Sequence, residues 1–168
     1  MILSERLQLI YENLLPEKAV WDFCCDHGYL GVEALKSRRF SEVYFVDQVP
    51  HIIQGLEKTV REKFSEVSSQ AHFKISKGEE VDCPVTGNVV IAGVGAFAIF
   101  KIIKSLFNKN FLQAERLILC PQRDEQKFMD LLSALGASFT DTYSIHQEIV
   151  CTERRRQRHI YIVQRSTN

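Results

Sequence analysis

Short apolar runs alternate along the chain with segments in which apolar residues recur at helical spacing. This alternation predicts strands and helices in turn. Strands are predicted at residues 19–23, 42–47, 72–76, 89–92 and 116–120, and helices at residues 4–15, 29–37, 50–64, 96–107 and 124–135. Repeated strand–helix units are typical of a parallel sheet with helices on both faces.

The pattern changes after Gly136. Residues 139–149 and 159–164 are predicted as two strands joined by residues 151–158, which indicates an antiparallel hairpin at the end of the sheet. The sequence therefore predicts an α/β fold of the Rossmann-like class, with a mostly parallel seven-stranded sheet, helices on both faces and an antiparallel C-terminal hairpin. Residues 1–168 are expected to form a single domain, on which residues 1–16 pack as an N-terminal helix.

The composition excludes several classes of protein. Hydrophobic residues make up 45% of the 168 residues and the formal net charge is zero, so no overall field attracts nucleic acid or an anionic membrane. The most apolar stretch, residues 89–100, is too short to span a bilayer, and the N-terminus lacks the pattern of a signal peptide. We expect a cytoplasmic protein that does not bind membranes, while the oligomeric state stays open.

The cysteines do not form a recognisable metal site. No C-x-x-C pair is present, and neighbouring side chains on a strand point to opposite faces. Free thiols in a reducing compartment, and no metal, are therefore predicted. The cysteines are Cys24, Cys25, Cys83, Cys120 and Cys151.

The loop after the first strand distinguishes between two cofactors. It reads Asp22-Phe23-Cys24-Cys25-Asp26-His27-Gly28, whereas a dinucleotide site would have G-x-G-x-x-G, so that the backbone can approach a pyrophosphate. A carboxylate at Asp26 would repel that diphosphate. S-adenosylmethionine (SAM) has no phosphate and carries an ammonium and a sulfonium, which carboxylates attract. The loop therefore predicts SAM rather than NAD, with Asp22, Cys24 and Gly28 among the cofactor-binding residues.

Further cofactor candidates follow the next strands, because ligands of such sheets bind beyond the carboxyl ends of the strands. Asp47, with Gln48 beside it, is expected to accept hydrogen bonds from the ribose hydroxyls. Gly78 and Glu79 are expected near the adenine amine, and the turn of Gly93, Val94 and Gly95 permits close approach to a ligand.

Each of these residues has a structural alternative. Asp22 is as well suited to holding loop amides as to touching a ligand. Asp47 also suits a helix cap, although its spacing after the glycine turn favours cofactor binding. Glu79 also fits the role of a solvated acid in a loop. Gly93 and Gly95 also fit a role in turn geometry alone. His27 is a candidate catalytic base or a loop residue bonded to the backbone.

Four motifs in order along the chain resemble the bacterial tRNA (adenine-22-N1)-methyltransferase family, also called TrmK. Residues 4–10 match the family's Ser-x-Arg-Leu-x-x-Ile, and residues 22–30 match in part its Asp-Ile-Gly-Ser-Asp-His-Ala-Tyr-Leu. Residues 91–96 match its Ile-Ala-Gly-Met-Gly-Gly, and residues 117–122 match its Leu-Ile-Leu-Gln-Pro-Asn. The resemblance implies a class I methyltransferase fold, SAM as cofactor and adenine in tRNA as methyl acceptor.

The chain departs from the family at specific positions. Cys24 replaces a glycine, so the loop is expected to lie further from the cofactor. Asp47 replaces a glutamate and keeps a carboxylate that can accept hydrogen bonds from the ribose hydroxyls. Gln122, after Pro121, replaces an asparagine near the expected target pocket. Family members also continue into a helical C-terminal extension, so this chain is expected to grip tRNA weakly or to use another acceptor.

Asp26 is the candidate for orienting the acceptor or taking a proton from its exocyclic amine, and its alternative role is to hold SAM. Candidate phosphate contacts are Arg6 and the arginine run Arg154, Arg155, Arg156 and Arg158, which is also typical of a solvated loop. A methyltransferase of small molecules or proteins, and a binding module without activity, stay open as alternatives. A nicotinamide oxidoreductase is disfavoured by the carboxylate in the first loop.

Overall fold

The computed structural model describes residues 2–166, which contain one seven-stranded sheet with the strand order β3-β2-β1-β4-β5-β7-β6. β1 to β5 are parallel, β7 lies antiparallel to β5, and β6 lies antiparallel to β7. This confirms the predicted fold class. The strands are β1 Val20–Phe23, β2 Val43–Asp47, β3 Ala71–Ile75, β4 Asn88–Val94, β5 Arg116–Pro121, β6 Tyr143–Glu153 and β7 Arg156–Arg165.

Six α-helices occur in the described residues, and five of them were predicted from the sequence to within a few residues at each end. They are α1 Glu5–Glu12, α2 Tyr29–Ser37, α3 Pro50–Lys63, α4 Ala96–Asn108, α5 Glu125–Ser133 and α6 Ala137–Thr142. In residues 2–166, none of these helices is long and apolar enough to cross a membrane.

Both faces of the central strands β1, β4 and β5 are largely buried, as the unbroken apolar run in β4 predicts. Val89 and Ile91 pack into one core with α4, whereas Val90 packs into the other with α1, α2 and α3. The period of two along a strand sends neighbouring side chains to opposite faces. Packing on both faces holds the central strands in position, and their carboxyl ends form a stable edge for a site.

The N-terminal segment is fastened to the sheet by a buried asparagine. The side chain of Asn88 accepts a hydrogen bond from the amide of Leu15 at 2.7 Å and donates one to the carbonyl of Leu15 at 3.0 Å. At the other end of α1, Ser4 caps the helix, because its side-chain hydroxyl accepts a hydrogen bond from the amide of Leu7. The buried Ile10 and Leu14 of this segment lie in the same core cluster as Val90.

The C-terminal region differs from the sequence prediction in two ways. Residues 139–142, predicted to begin a strand, belong to helix α6. The predicted connection at 151–158 is wrong, because β6 and β7 continue through it, pairing Cys151 with Arg158 and Glu153 with Arg156. Only Arg154 and Arg155 form the turn, with φ of 50° and 62°. The sequence of residues 151–158 is polar, as in a loop, because this end of the hairpin is largely exposed to solvent.

Candidate functional site

A cavity of about 690 Å³ lies at the carboxyl ends of β1, β4 and β5. β2 and β3 lie on one side of β1, whereas β4 and β5 lie on the other, so this is the switch point where such sheets bind ligands. The start of α1 and the turn of the hairpin complete its wall. Predicted site residues that line it are Asp22, Cys24, Asp26, His27, Gly93, Arg6, Pro121, Gln122, Arg154 and Arg158.

The loop after β1 has three residues with left-handed backbone. Cys24 has φ of 56°, Asp26 of 48° and Gly28 of 66°. Gly28 is also required by packing, because a Cβ there would lie 2.5 Å from a methyl carbon of Leu56. Cys24 takes this conformation with a side chain in place, so the loop keeps a glycine-like path without the glycine at some backbone strain.

Asp22 is buried at the end of β1 and lines the cavity. Its Oδ2 accepts a hydrogen bond from the amide of Gly31 in α2 at 3.2 Å. Burial raises the pKa of Asp22 to about 7, and the nearby charge of Asp47 adds to this, although the Gly31 amide opposes it. The same carboxyl group thus fastens α2 and is available to a cation in the cavity.

Asp47 connects the ends of two strands. Its Oδ2 accepts from the amide of Asp26 at 3.3 Å, and its Oδ1 accepts from the amide of Val49 at 3.0 Å, just before α3. Asp47 is half-buried and lies beside the cavity rather than in its wall. It therefore orients the loop that carries Asp26. Gln48 follows it outside the cavity lining.

The candidates after β3 are engaged with α4. Glu79 lies 2.8 Å from the ammonium of Lys101, and this hydrogen bond lowers the pKa of Glu79. Gly78 is buried, and a Cβ there would lie 2.7 Å from the side chain of Ile102. Both residues lie outside the cavity lining, and Gly78 is a packing glycine.

The glycines after β4 differ from one another. Gly93 lines the cavity and has φ of 77°, in the region that favours glycine. Gly95 precedes α4 with extended backbone, and a Cβ there would meet no atom within 4 Å. Val94 is the last residue of β4, and neither it nor Gly95 lines the cavity. Only Gly93 thus combines a conformational need with a position in the site.

Asp26 and His27 form an exposed pair at the mouth of the cavity. Asp26 Oδ2 lies 2.9 Å from His27 Nδ1, and about two thirds of each side chain is exposed, at 66% and 65%. The His27 ring stacks on Tyr29, with 5.3 Å between centroids. An exposed carboxylate and imidazole beside aromatic rings suit a polar, planar acceptor such as a nucleobase.

Two of the predicted phosphate contacts are already engaged inside the protein. Arg6 Nε lies 3.2 Å from Glu153 Oε2, and Arg158 Nε lies 3.7 Å from the same oxygen. A terminal nitrogen of Arg158 donates to the backbone carbonyl of Gln122. Arg154 lies at the cavity wall, whereas Arg155 and Arg156 are exposed outside it.

Sequence reasoning missed Glu153 and Tyr29, which also line the cavity. Tyr29 follows Asp26-His27-Gly28 directly and belongs to a motif that the resemblance rests on, so its position was available as a signal. For Glu153 the only signal was an acid beside an arginine run. Its partner Arg6 is 147 positions away, and no local pattern reveals such a contact.

The five cysteines are free thiols. Burial raises the pKa of Cys24 to about 11, which keeps the thiol at the cavity wall protonated and weakly nucleophilic at neutral pH. Within residues 2–166, no group of three histidine, cysteine, aspartate or glutamate side chains is placed to hold a metal ion.

A known family profile covers nearly the whole chain. The profile of the family described as "Methyltransferase domain" matches residues 3–163. No curated protein sequence matches the chain significantly.

Solved structures share the fold at low sequence identity. A Streptococcus pneumoniae protein described as a candidate tRNA (m1A22) methyltransferase has a TM-score of 0.84 and 22% identity, over 99% of this chain and 72% of that one. The m1A22 tRNA methyltransferase TrmK of Bacillus subtilis has a TM-score of 0.81 and 21% identity, over 98% of this chain and 67% of that one. M. capricolum TrmK, solved with S-adenosyl-homocysteine, has a TM-score of 0.78 and 20% identity, over 98% of this chain and 70% of that one.

Proposed function

The chain belongs to the methyltransferase domain family, and from that premise we propose that it transfers a methyl group from SAM to N1 of an adenine in tRNA. The observation that carries this proposal is that the pair of Asp26 and His27 and the segment Pro121–Gln122 line the same cavity. Similarity to tRNA (m1A22) methyltransferases over nearly the whole chain supports the same acceptor. A tRNA substrate implies that the protein acts in the cytoplasm.

The side chains around the switch point fit SAM. Carboxylates at Asp22 and Asp26 suit its ammonium and sulfonium, and a diphosphate would be repelled there. Asp47 would accept from the ribose hydroxyls while keeping its loop amides, because each carboxylate oxygen can accept more than one hydrogen bond. The Oε2 of Glu79 would accept from the adenine amine, since Lys101 bonds to Oε1.

Bound SAM supplies an electrophilic methyl group for an in-line displacement. The task of the protein is to align the acceptor, exclude water and stabilise the charge that develops. The lone pair of adenine N1 would form a bond to the methyl carbon as the bond from that carbon to the sulfonium sulfur breaks. S-adenosylhomocysteine would leave as a neutral thioether, and the methylated base would carry the positive charge. In this proposal the Asp26 carboxylate stabilises that charge or accepts a proton from the exocyclic amine. His27 holds the Asp26 carboxylate in place through its 2.9 Å contact.

The target adenine must leave its stack to enter the cavity, which costs a few kcal/mol in folded RNA. We propose that stacking on the exposed face of Tyr29 offsets part of this cost. The exposed arginines Arg154, Arg155 and Arg156 would contact phosphates of the same RNA. Arg6 and Arg158, which pair with Glu153, would instead shape the cavity.

The proposal is tested by methylation with isotopically labelled SAM. Two unmodified tRNA transcripts are compared, one with adenine at the target position and a matched one with guanine there. Label is expected only in the first transcript, and nuclease digestion should return it as N1-methyladenosine. Labelling of a small-metabolite or protein extract without labelling of any tRNA would contradict the tRNA acceptor and favour another methyltransferase substrate.

A further inference from the structure

A second concave surface continues from the acceptor cavity along one face of the protein. This groove, of about 780 Å³, lies between α2 and α3 and shares Asp26, His27 and Tyr29 with the cavity. We call it the α2–α3 groove. Its lining also includes Lys36, Gly55 and Lys63.

The two helices give the groove a direction. Both follow parallel strands, so both run away from the carboxyl edge of the sheet. Tyr29 begins α2 at the cavity end, and Lys36 and Lys63 lie at the far ends of α2 and α3. At 1.5 Å per residue, α3 extends about 20 Å from the cavity. The groove therefore leads from the proposed acceptor position along a path long enough for a few nucleotides.

Gly55, in the middle of α3, has no explanation within the fold. An interior helix glycine is less favourable than alanine by about 1 kcal/mol. Gly55 does not have positive φ, and a Cβ there would meet no atom within 4 Å. Neither backbone conformation nor packing within the described residues requires it. What the missing side chain does provide is open space in the wall of the groove.

The two ends of the groove carry groups that suit a polynucleotide, whereas its middle is lined largely by apolar side chains. Exposed Tyr29 and His27, stacked on each other at its cavity end, present an aromatic surface of the kind on which bases stack. Lys36 and Lys63 are exposed at its far end. Lys36 lies 2.9 Å from Glu33, a surface pair of the kind that contributes little and exchanges readily. Asp26, at the cavity end, is the one acid among the described lining residues.

We propose that the α2–α3 groove binds the RNA strand that flanks the target adenine. With the target base at Tyr29, the sugar–phosphate backbone of that strand passes over Gly55, and its phosphates lie at Lys36 and Lys63. The proposal rests on the RNA acceptor proposed above. Arg154 to Arg156 lie on the hairpin, whose strands β7 and β6 are separated in the sheet from β1 and β2 by β4 and β5. The groove would therefore bind a separate part of the RNA.

The test measures tRNA binding by two groove variants, with an unmodified tRNA transcript as the probe. Gly55→Gln fills the groove with a good helix former, so we expect Tm to rise by about 2–4 °C while RNA affinity falls about tenfold. The KM for RNA should rise with kcat unchanged. A purely structural role of Gly55 would move Tm alone, and that result would overturn the proposal.

The second variant, Lys36→Ser with Lys63→Ser, should reduce the slope of log affinity against log salt by about 1.4, the value for two contacts to a single strand. Lys58→Ser, on α3 but outside the groove lining, is the matched control and should leave the slope unchanged. Calorimetry with SAM should show unchanged cofactor binding in all variants.

The outcomes separate this proposal from the function on which it rests. If the wild type neither binds nor methylates tRNA, the proposed acceptor is wrong. If the wild type methylates tRNA while the groove variants bind it with unchanged affinity and salt slope, the acceptor stands and the groove proposal is overturned.

Discussion

Arg6 in the N-terminal helix and Glu153 at the end of β6 form an ion pair across the mouth of the cavity. Arg6 Nε lies 3.3 and 3.2 Å from the two carboxylate oxygens of Glu153. Arg158 approaches the same carboxylate, and the three side chains are largely buried, with 17%, 22% and 12% exposed for Arg6, Glu153 and Arg158. One carboxylate thus joins the first helix to both strands of the hairpin.

Removing the charge of Glu153 should destabilise the fold. Glu153→Gln leaves two neighbouring guanidinium groups without their counter-charge, so we expect the free energy of unfolding to fall by about 1–3 kcal/mol, between the values for exposed and buried pairs. Urea denaturation measures it. Glu66→Gln, which removes an exposed pair with Arg38, should change stability by less than about 0.5 kcal/mol. Equal effects of the two substitutions would show that the pair at the cavity contributes nothing special.

Asp22 should make stability depend on pH. Its folded-state pKa of about 7 lies above the value of about 3.9 for an unfolded aspartate. Between these values the native state keeps a proton that the unfolded state has released, so the contribution of Asp22 to stability falls as pH rises and is constant above about 7. Asp22→Asn keeps an acceptor for the Gly31 amide but cannot ionise.

The difference in unfolding free energy between wild type and Asp22→Asn should therefore change between pH 4 and 7, as urea denaturation at a series of pH values would measure. It should move in favour of the variant as pH rises. A difference that stays constant over this window would show that Asp22 ionises normally in the folded protein.

Asp47 should affect cofactor binding through two routes. Asp47→Ala removes the proposed ribose acceptor and also the partner of the Asp26 amide. The loss of one hydrogen bond to a charged group is worth about 1.5 kcal/mol or more, so SAM affinity should fall at least about tenfold by calorimetry. Glu80→Ala, which removes an exposed pair with Lys77, is the control. An unchanged dissociation constant for Asp47→Ala would contradict its role at the cofactor.

The hairpin arginines should divide into two classes in RNA binding. Replacing Arg154, Arg155 and Arg156 with serine should reduce the salt slope by about 2, at roughly 0.7 per contact. Arg158→Gln should leave the slope unchanged and lower kcat, because Arg158 bonds to the Gln122 carbonyl in the cavity wall. If Arg158→Gln reduces the slope instead, this arginine contacts phosphate as the sequence first suggested.

The strained backbone at Cys24 should appear in stability measurements. Cys24→Gly relieves the left-handed conformation but increases the entropy of the unfolded chain, so these effects largely offset each other and Tm should stay equal or rise slightly. Cys24→Val places a β-branched side chain in that conformation and should lower stability by more than about 1 kcal/mol. Thermal unfolding of both variants measures this. A valine variant as stable as the glycine variant would contradict the observed φ.

The sequence alone determined the order of strands and helices, the parallel sheet and the loop expected to bind a cofactor. These follow from apolar periodicity and from turn residues, which act over a few neighbouring positions. Asp22, Asp26 and Gly93 were predicted at the site because strand ends of a parallel sheet share one edge. The same local signals failed in the hairpin, where polar side chains on exposed strands resembled a loop.

Tertiary structure alone decided which charges are free. Arg6 and Arg158 were predicted as RNA contacts because charge is visible in a sequence and its partner is not. Glu153 is 147 positions from Arg6, and only the folded chain brings them together. The open space beside Gly55 is likewise a property of two helices packed on neighbouring strands. Local chemistry therefore predicts which residues can act, and packing between distant segments determines where they point and what they still have free to bind.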